Sequence, residues 1–196
     1  MINLDYLEIG CCDFNLLSRN KKKIGLSIEP VKYYYNKLNT RMKLNIAISN
    51  KNGYCKVFYL DEKIINDYHL PTWLKGCNSI NEYHPTMKKI LLKHNLPLEL
   101  IDYDEIEMLT LNKLIKKYNI KSIDYLKIDT EGHDYYILNE FFKNPSIYPN
   151  TIYFECNNLS NKELVYDMIK KIPYTIKYES NHNIKMVLNS SISLSS

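Results

Sequence analysis

The sequence predicts an α/β fold: a mostly parallel sheet with one antiparallel edge strand contributed by a C-terminal hairpin. Three observations lead there. Residues 123–138, IDYLKIDTEGHDYYIL, pass from a buried-looking apolar run through an acidic turn into a helical pattern with Ile137, Leu138, Phe141 and Phe142 on one face. Residues 4–9 form a short apolar strand that runs directly into Gly10. Residues 174–178 and 184–188 alternate apolar and polar side chains around a turn-like 180–183, which is a hairpin pattern.

At 196 residues the chain is most simply one domain, spanning 1–189, with an insertion at about 61–105 and a flexible Ser-rich tail over 190–196. Its hydrophobic and charged fractions, 45% and 24%, are those of an ordinary globule. The net charge of +4 comes almost wholly from Lys, since Arg19 and Arg41 are the only arginines. Nucleic acid is therefore disfavoured as a partner, because its phosphates are usually gripped by Arg-rich patches. Cys11, Cys12, Cys55, Cys77 and Cys156 show no CxxC spacing, so neither a zinc knuckle nor a disulfide framework is indicated. With no charged leader, no apolar signal run and no membrane-length segment, the expectation is a reduced, cytoplasmic protein without a membrane partner.

The first strand ends in Glu8, Gly10, Cys11, Cys12 and Asp13. A glycine directly after a first strand lets a nucleotide-type ligand approach the strand tip. Asp13 stands where a dinucleotide fold would cradle pyrophosphate, and a carboxylate repels that group, so NAD(P) and FAD are disfavoured. S-adenosylmethionine has no phosphate and carries an ammonium that welcomes carboxylates; a helix cap is the plainer reading of the same Asp13. Residues 25–28 form a second strand tipped by Glu29, about 20 residues beyond the glycine, where an acid can accept hydrogen bonds from ribose hydroxyls. Pro30 then suits a helix start, over residues 31–38.

Residues 43–49, KLNIAIS, read as a third strand, and Ala47 and Ile48 at its end suit the flat face of adenine. A turn follows at 50–53, then a strand-like 55–60. The insertion is the least regular part, and a long connection in a compact domain usually serves as a lid or substrate segment. Trp73, Ser79 and His84 within it are candidate substrate contacts, although Trp73 also suits core filling and His84 a satisfied surface position. Short helices are expected at 87–94 and, capped by Thr110, at 111–118, with a strand at 106–109. Residues 151–155 form a strand tipped by Glu155, and Ser160 caps a helix reaching about 171.

Strand tips at the carboxyl edge of an open parallel sheet make the ligand crevice. Glu8, Gly10, Asp13, Glu29 and Asp129 converge there if the strands of residues 4–9 and 123–128 are neighbours. Asp129 and His133, then His84, are candidate proton acceptors, and Glu131 is a candidate substrate contact. Lys127 shares strand parity with Asp129 and could neutralise it. Asp129, Glu131 and Glu155 could hold Mg²⁺ through oxygen ligands, but no metal is required.

The segment KIDTEGHDYYIL, with ID before it and TLNKL upstream, resembles the signature of the FkbM-type S-adenosylmethionine-dependent methyltransferases; LEIG, IEP and NIAIS followed by Gly53 match that family's other landmarks in order. The resemblance implies a class I (Rossmann-like) methyltransferase sheet and O-methylation of a sugar or other small hydroxylated acceptor. It also implies that Glu8, Gly10, Glu29, Ala47 and Asp129 line the cofactor, with Glu131 and His133 beside it. The chain departs from the family in its first turn, Gly10-Cys11-Cys12-Asp13, and in Asp134. Three rivals stand beside this reading: an RNA ribose methyltransferase, a metal-dependent hydrolase and an inactive nucleoside-binding module. The expected partner is a small-molecule or glycan substrate, and homo-oligomerisation is left open.

Overall fold

The computed structural model describes residues 1–14, 16–17, 22–156 and 162–190. Its strands are β1 (Ile2–Ile9), β2 (Gly25–Ile28), β3 (Met42–Leu44), β4 (Ala47–Ser49), β5 (Gly53–Leu60), β6 (Ser79–Ile80), β7 (Ile101–Thr110), β8 (Ile120–Ile128), β9 (Thr151–Glu155), β10 (Tyr174–Glu179) and β11 (Asn183–Leu188). The helices are α1 (Lys32–Lys37), α2 (Glu62–Asp67), α3 (Pro85–Lys93), α4 (Leu111–Lys117), α5 (Asp134–Phe141) and α6 (Lys162–Ile169). None is long and apolar enough to cross a membrane. The proposed Ser160 cap and the tail from 191 onward lie outside the described residues.

A seven-stranded, mostly parallel sheet carries the fold, in the order β10-β11-β9-β8-β1-β2-β3. The pair β1 and β8 is its centre, with Glu8 beside Lys127 and Ile9 beside Ile128. Period-two alternation therefore sorts the strand ends, sending Glu8 and Lys127 to one face and the isoleucines to the other. On the apolar face, Leu7, Leu126, Ile152, Phe154 and Met186 pack in one cluster with Leu114, Ile137, Phe141 and Met168 from α4, α5 and α6. Each such buried side chain stabilises the fold by about 1.5–3 kcal/mol relative to exposure.

Three features differ from the sequence expectation. The antiparallel strand is not at the edge: β11 pairs antiparallel with both β9 and β10, so it lies one place in and β10 forms the edge. A hairpin's two strands must oppose each other, and here it is the returning strand that docks on the sheet. Residues 43–49 are not one strand. The chain breaks at Asn45, whose side-chain amide donates to the carbonyls of Glu29 (2.9 Å) and Pro30 (2.8 Å), leaving β3 in the main sheet and sending β4 into a second one.

That second sheet, in the order β4-β7-β5-β6, is the third difference. Residues 101–105 belong to β7, which pairs antiparallel with β5 along its length, so the irregular insertion ends earlier than expected. The insertion also has its own apolar cluster, in which Leu74, Met87 and Leu91 pack on Leu60 and Ile101. Tertiary packing thus holds α3 against β5 and β7 of the second sheet, while β6 pairs with β5.

Candidate active site

The carboxyl ends of β1, β2 and β8 and the start of β4 open into a cleft of about 720 Å³, solvent mouth included, lined among others by Gly10, Glu29, Ala47, Ile48, Asp129, Glu131 and His133. Gly10 has a φ of +75°, and a Cβ there would overlap the carbonyl oxygen of Asp129, so only glycine allows the tips of β1 and β8 to approach this closely. Cys12 follows, itself left-handed at φ 47°. Its N–H donates to Glu29 Oε2 at 2.6 Å, while the N–H of Val31 donates to Glu29 Oε1 at 2.9 Å. Glu29 is buried, and that burial raises its pKa to about 7 against the pull of the two N–H donors. It clamps the first loop to the second strand, and each oxygen keeps a lone pair for a ligand.

Asp129 is fixed from beneath. Lys127 Nζ lies 2.9 Å from Asp129 Oδ2 and 3.6 Å from Glu8 Oε1. Burial opposes the ammonium charge, but the two carboxylates together hold the Lys127 pKa above its ordinary value. Glu8 is fully buried, its pKa raised by that burial and tempered by Lys127. It supports the site from below and is not a wall of the cleft. Asp13 is likewise not a wall, and it pairs with Lys75 at 2.7 Å.

The turn after β8 is shaped by Asp134, which is fully buried at the start of α5. Its Oδ2 accepts from the Thr130 N–H (3.1 Å) and hydroxyl (2.7 Å), and Oδ1 accepts from the Glu155 N–H (3.1 Å). Burial raises its pKa to about 6. The constrained turn places Glu131 at φ 54°, a left-handed conformation that is costly for a side-chain-bearing residue and is found often at functional sites.

Both histidines have defined partners. Ser49 Oγ lies 3.2 Å from Asn50 Oδ1 and 2.8 Å from His133 Nε2, and the ring tautomer sets which partner of the second contact donates. In the tautomer that carries its proton on Nε2, the Nδ1 lone pair is the one that can take a second proton. Burial, aided by Lys51, lowers the His133 pKa and keeps the ring neutral near pH 7. His84 Nδ1 accepts from the Thr86 N–H at 3.3 Å, and its Nε2 faces Glu131 Oε2 at 3.4 Å. His84, Ser79, Glu131 and His133 are walls of a second chamber that adjoins the cleft. Trp73, by contrast, is 52% exposed and lines neither space.

Asp129, Glu131 and Glu155 each offer an oxygen within 4.8 Å of the others, a spacing that suits a cation. Lys127 already sits on Asp129 and would compete with a cation there. Burial together with Glu131, Asp129 and Asp134 raises the Glu155 pKa to about 8.

Sequence reasoning missed several contributors. Cys12 acts through its backbone, Ser49 orients His133, and Asn78 lines the cleft with a buried Oδ1 that has no hydrogen-bond partner. Only Ser49, the last residue of the third strand as read from the sequence, carried any local signal. The other two depend on contacts with distant segments.

Residues 8–181 match the family model of the methyltransferase FkbM domain. No curated protein matches the chain. Among solved structures, the crystal structure of methyltransferase FkbM from Methylobacillus flagellatus KT is similar in fold, at 10% identity and a TM-score of 0.50 over 95% of this chain. The chain spans 44% of the length of that neighbour.

Proposed function

The chain belongs to the methyltransferase FkbM family, and from that premise we propose that it is an S-adenosylmethionine-dependent O-methyltransferase acting on a hydroxyl of a sugar or similar small acceptor. The mostly parallel strand order, with the antiparallel strand one place from the edge, supports the class I (Rossmann-like) reading which the family resemblance implies.

One observation carries the reading: Gly10, Glu29, Ala47 and Asp129, drawn from four strand ends, share a single cleft. Its chemistry fits a phosphate-free nucleoside. Among the described residues no Lys or Arg side chain is among its walls, while Ile9, Ile28, Ile46 and Val57 give it an apolar interior suited to a flat ring. The orphaned Oδ1 of Asn78 is an acceptor for an amino donor such as that of adenine. Glu29 would accept from a ribose hydroxyl and Asp129 from the amino-acid ammonium. When bound, S-adenosylmethionine supplies an electrophilic methyl group.

This chain's own residues then have two tasks. The first is to hold the acceptor hydroxyl in line and at near-attack distance, which can contribute about 7–11 kcal/mol to lowering the barrier. The second is to receive its proton. His133, held neutral by burial and oriented by Ser49, is suited to that role, and Asp129 is the alternative acceptor. Calorimetry with S-adenosylmethionine, S-adenosylhomocysteine and NAD tests the proposal. Binding of the first two is expected; tight NAD binding with no response to the others would defeat it.

A further inference from the structure

We infer that the chamber beside the cleft is the acceptor site and that it selects a neutral or amine-bearing polyol ring while rejecting phosphorylated or carboxylated analogues. The inference rests on the methyltransferase reading for the word acceptor, but the chamber's own chemistry stands apart from it. Ser79, Ile80, Thr130, Glu131 and His133 are walls of both spaces, so a group held in the chamber adjoins whatever fills the cleft.

Charge and ring chemistry define the selection. Among the described residues two carboxylates, Glu82 and Glu131, line the chamber, and no Lys or Arg side chain does. The Lys88 ammonium stacks on the Tyr83 ring, its Nζ 5.5 Å from the centroid, and the Lys127 ammonium is taken up by Asp129. Behind Glu131 lie Asp129 and Glu155, each offering an oxygen within 4.8 Å of the others. An anionic acceptor would bring like charge against Glu82 and Glu131, which is disfavoured. Hydroxyl or ammonium donors would instead find carboxylate oxygens ready to accept.

The aromatic wall supplies the second half. Tyr136 is 46% exposed, and its ring stands 5.2 Å from that of His133 at an interplanar angle of 33°. Tyr83 is held edge-on against Phe58, with centroids 4.9 Å apart. Fixed rings beside carboxylates offer apolar surface to the C–H face of a polyol while the acids take its hydroxyls.

Saturation-transfer NMR tests this with three matched probes: methyl glucoside, glucosamine and glucose 6-phosphate. Titrations are run with and without S-adenosylhomocysteine, whose own binding is followed separately, so failure of the cofactor reading is seen independently of the chamber. Expected is binding of the first two probes, with the phosphate on the order of tenfold weaker or worse. Glu131→Gln together with Glu82→Gln should narrow that gap, and Tyr136→Ala, a change at a surface ring that leaves the core intact, should weaken all sugar binding on the order of tenfold. Equal or tighter binding of the phosphate, binding indifferent to both sets of variants, or no binding of any probe overturns the proposal.

Discussion

The N–H of Cys12 and the carboxylate of Glu29 meet at 2.6 Å, and this bond joins the loop after the first strand to the tip of the second. Removing the acceptor leaves two buried backbone donors, those of Cys12 and Val31, without their partner. Each such loss costs about 1–3 kcal/mol. Glu29→Ala should therefore lower unfolding stability in urea by about 2–4 kcal/mol and abolish the calorimetric response to S-adenosylhomocysteine. Glu29→Gln, which keeps one acceptor oxygen, should lie between that variant and the parent.

Gly10 makes a prediction about backbone alone. Gly10→Ala combines a left-handed φ of +75° with an overlap on the Asp129 carbonyl. The conformational penalty is about 1–2 kcal/mol, and relieving the overlap must part β1 from β8. The expected result is a urea midpoint lowered by more than the conformational penalty alone explains, together with loss of cofactor binding. Retention of both would show that the two strand tips are not held together as described.

His133 should control rate rather than cofactor affinity. His133→Ala is expected to lower kcat by about 10²–10⁴, with S-adenosylhomocysteine affinity changed only a few-fold. Because burial lowers its pKa, the imidazole stays unprotonated, and able to accept a proton, below pH 6.5. The acid limb of kcat/KM should accordingly fall below pH 6.5, where an unperturbed imidazole would already be half protonated. A rate within threefold of the parent would move the proton-accepting role to Asp129.

Stability should decline as pH rises. Burial lifts Asp134 to about 6, Glu29 to about 7 and, with neighbouring acids, Glu155 to about 8. Each folded-state value exceeds the ordinary one, so the folded state holds protons that the unfolded chain has released. That contribution is complete below about pH 4 and is lost as pH climbs through the folded values. His133, shifted the other way, opposes the trend only below about pH 6.5. Thermal melts should therefore show the clearest decline between pH 6.5 and 8, and Glu155→Gln should flatten its upper part.

Much of this protein was legible in its residue order. The apolar run at 123–128 with its acidic tip, the glycine after the first strand and the acid after the second are local patterns, and local sterics and burial dictate them. They sufficed to predict a mostly parallel sheet with Gly10, Glu29 and Asp129 gathered at one edge. The role of Asp13 was less legible, because its pairing with Lys75 depends on a segment 62 residues away.

Tertiary packing decided the rest. Whether residues 43–49 stay straight depends on which carbonyls the Asn45 amide reaches, and whether the hairpin docks by its first or second strand depends on the open edge offered by β9. The chamber by His84 exists only because a separate apolar cluster holds the insertion against the second sheet. Side-chain types advertise what chemistry is available. Which groups come within hydrogen-bond distance is settled by contacts between segments far apart in the chain, because burial and close packing act on distance in space and not on order along the backbone.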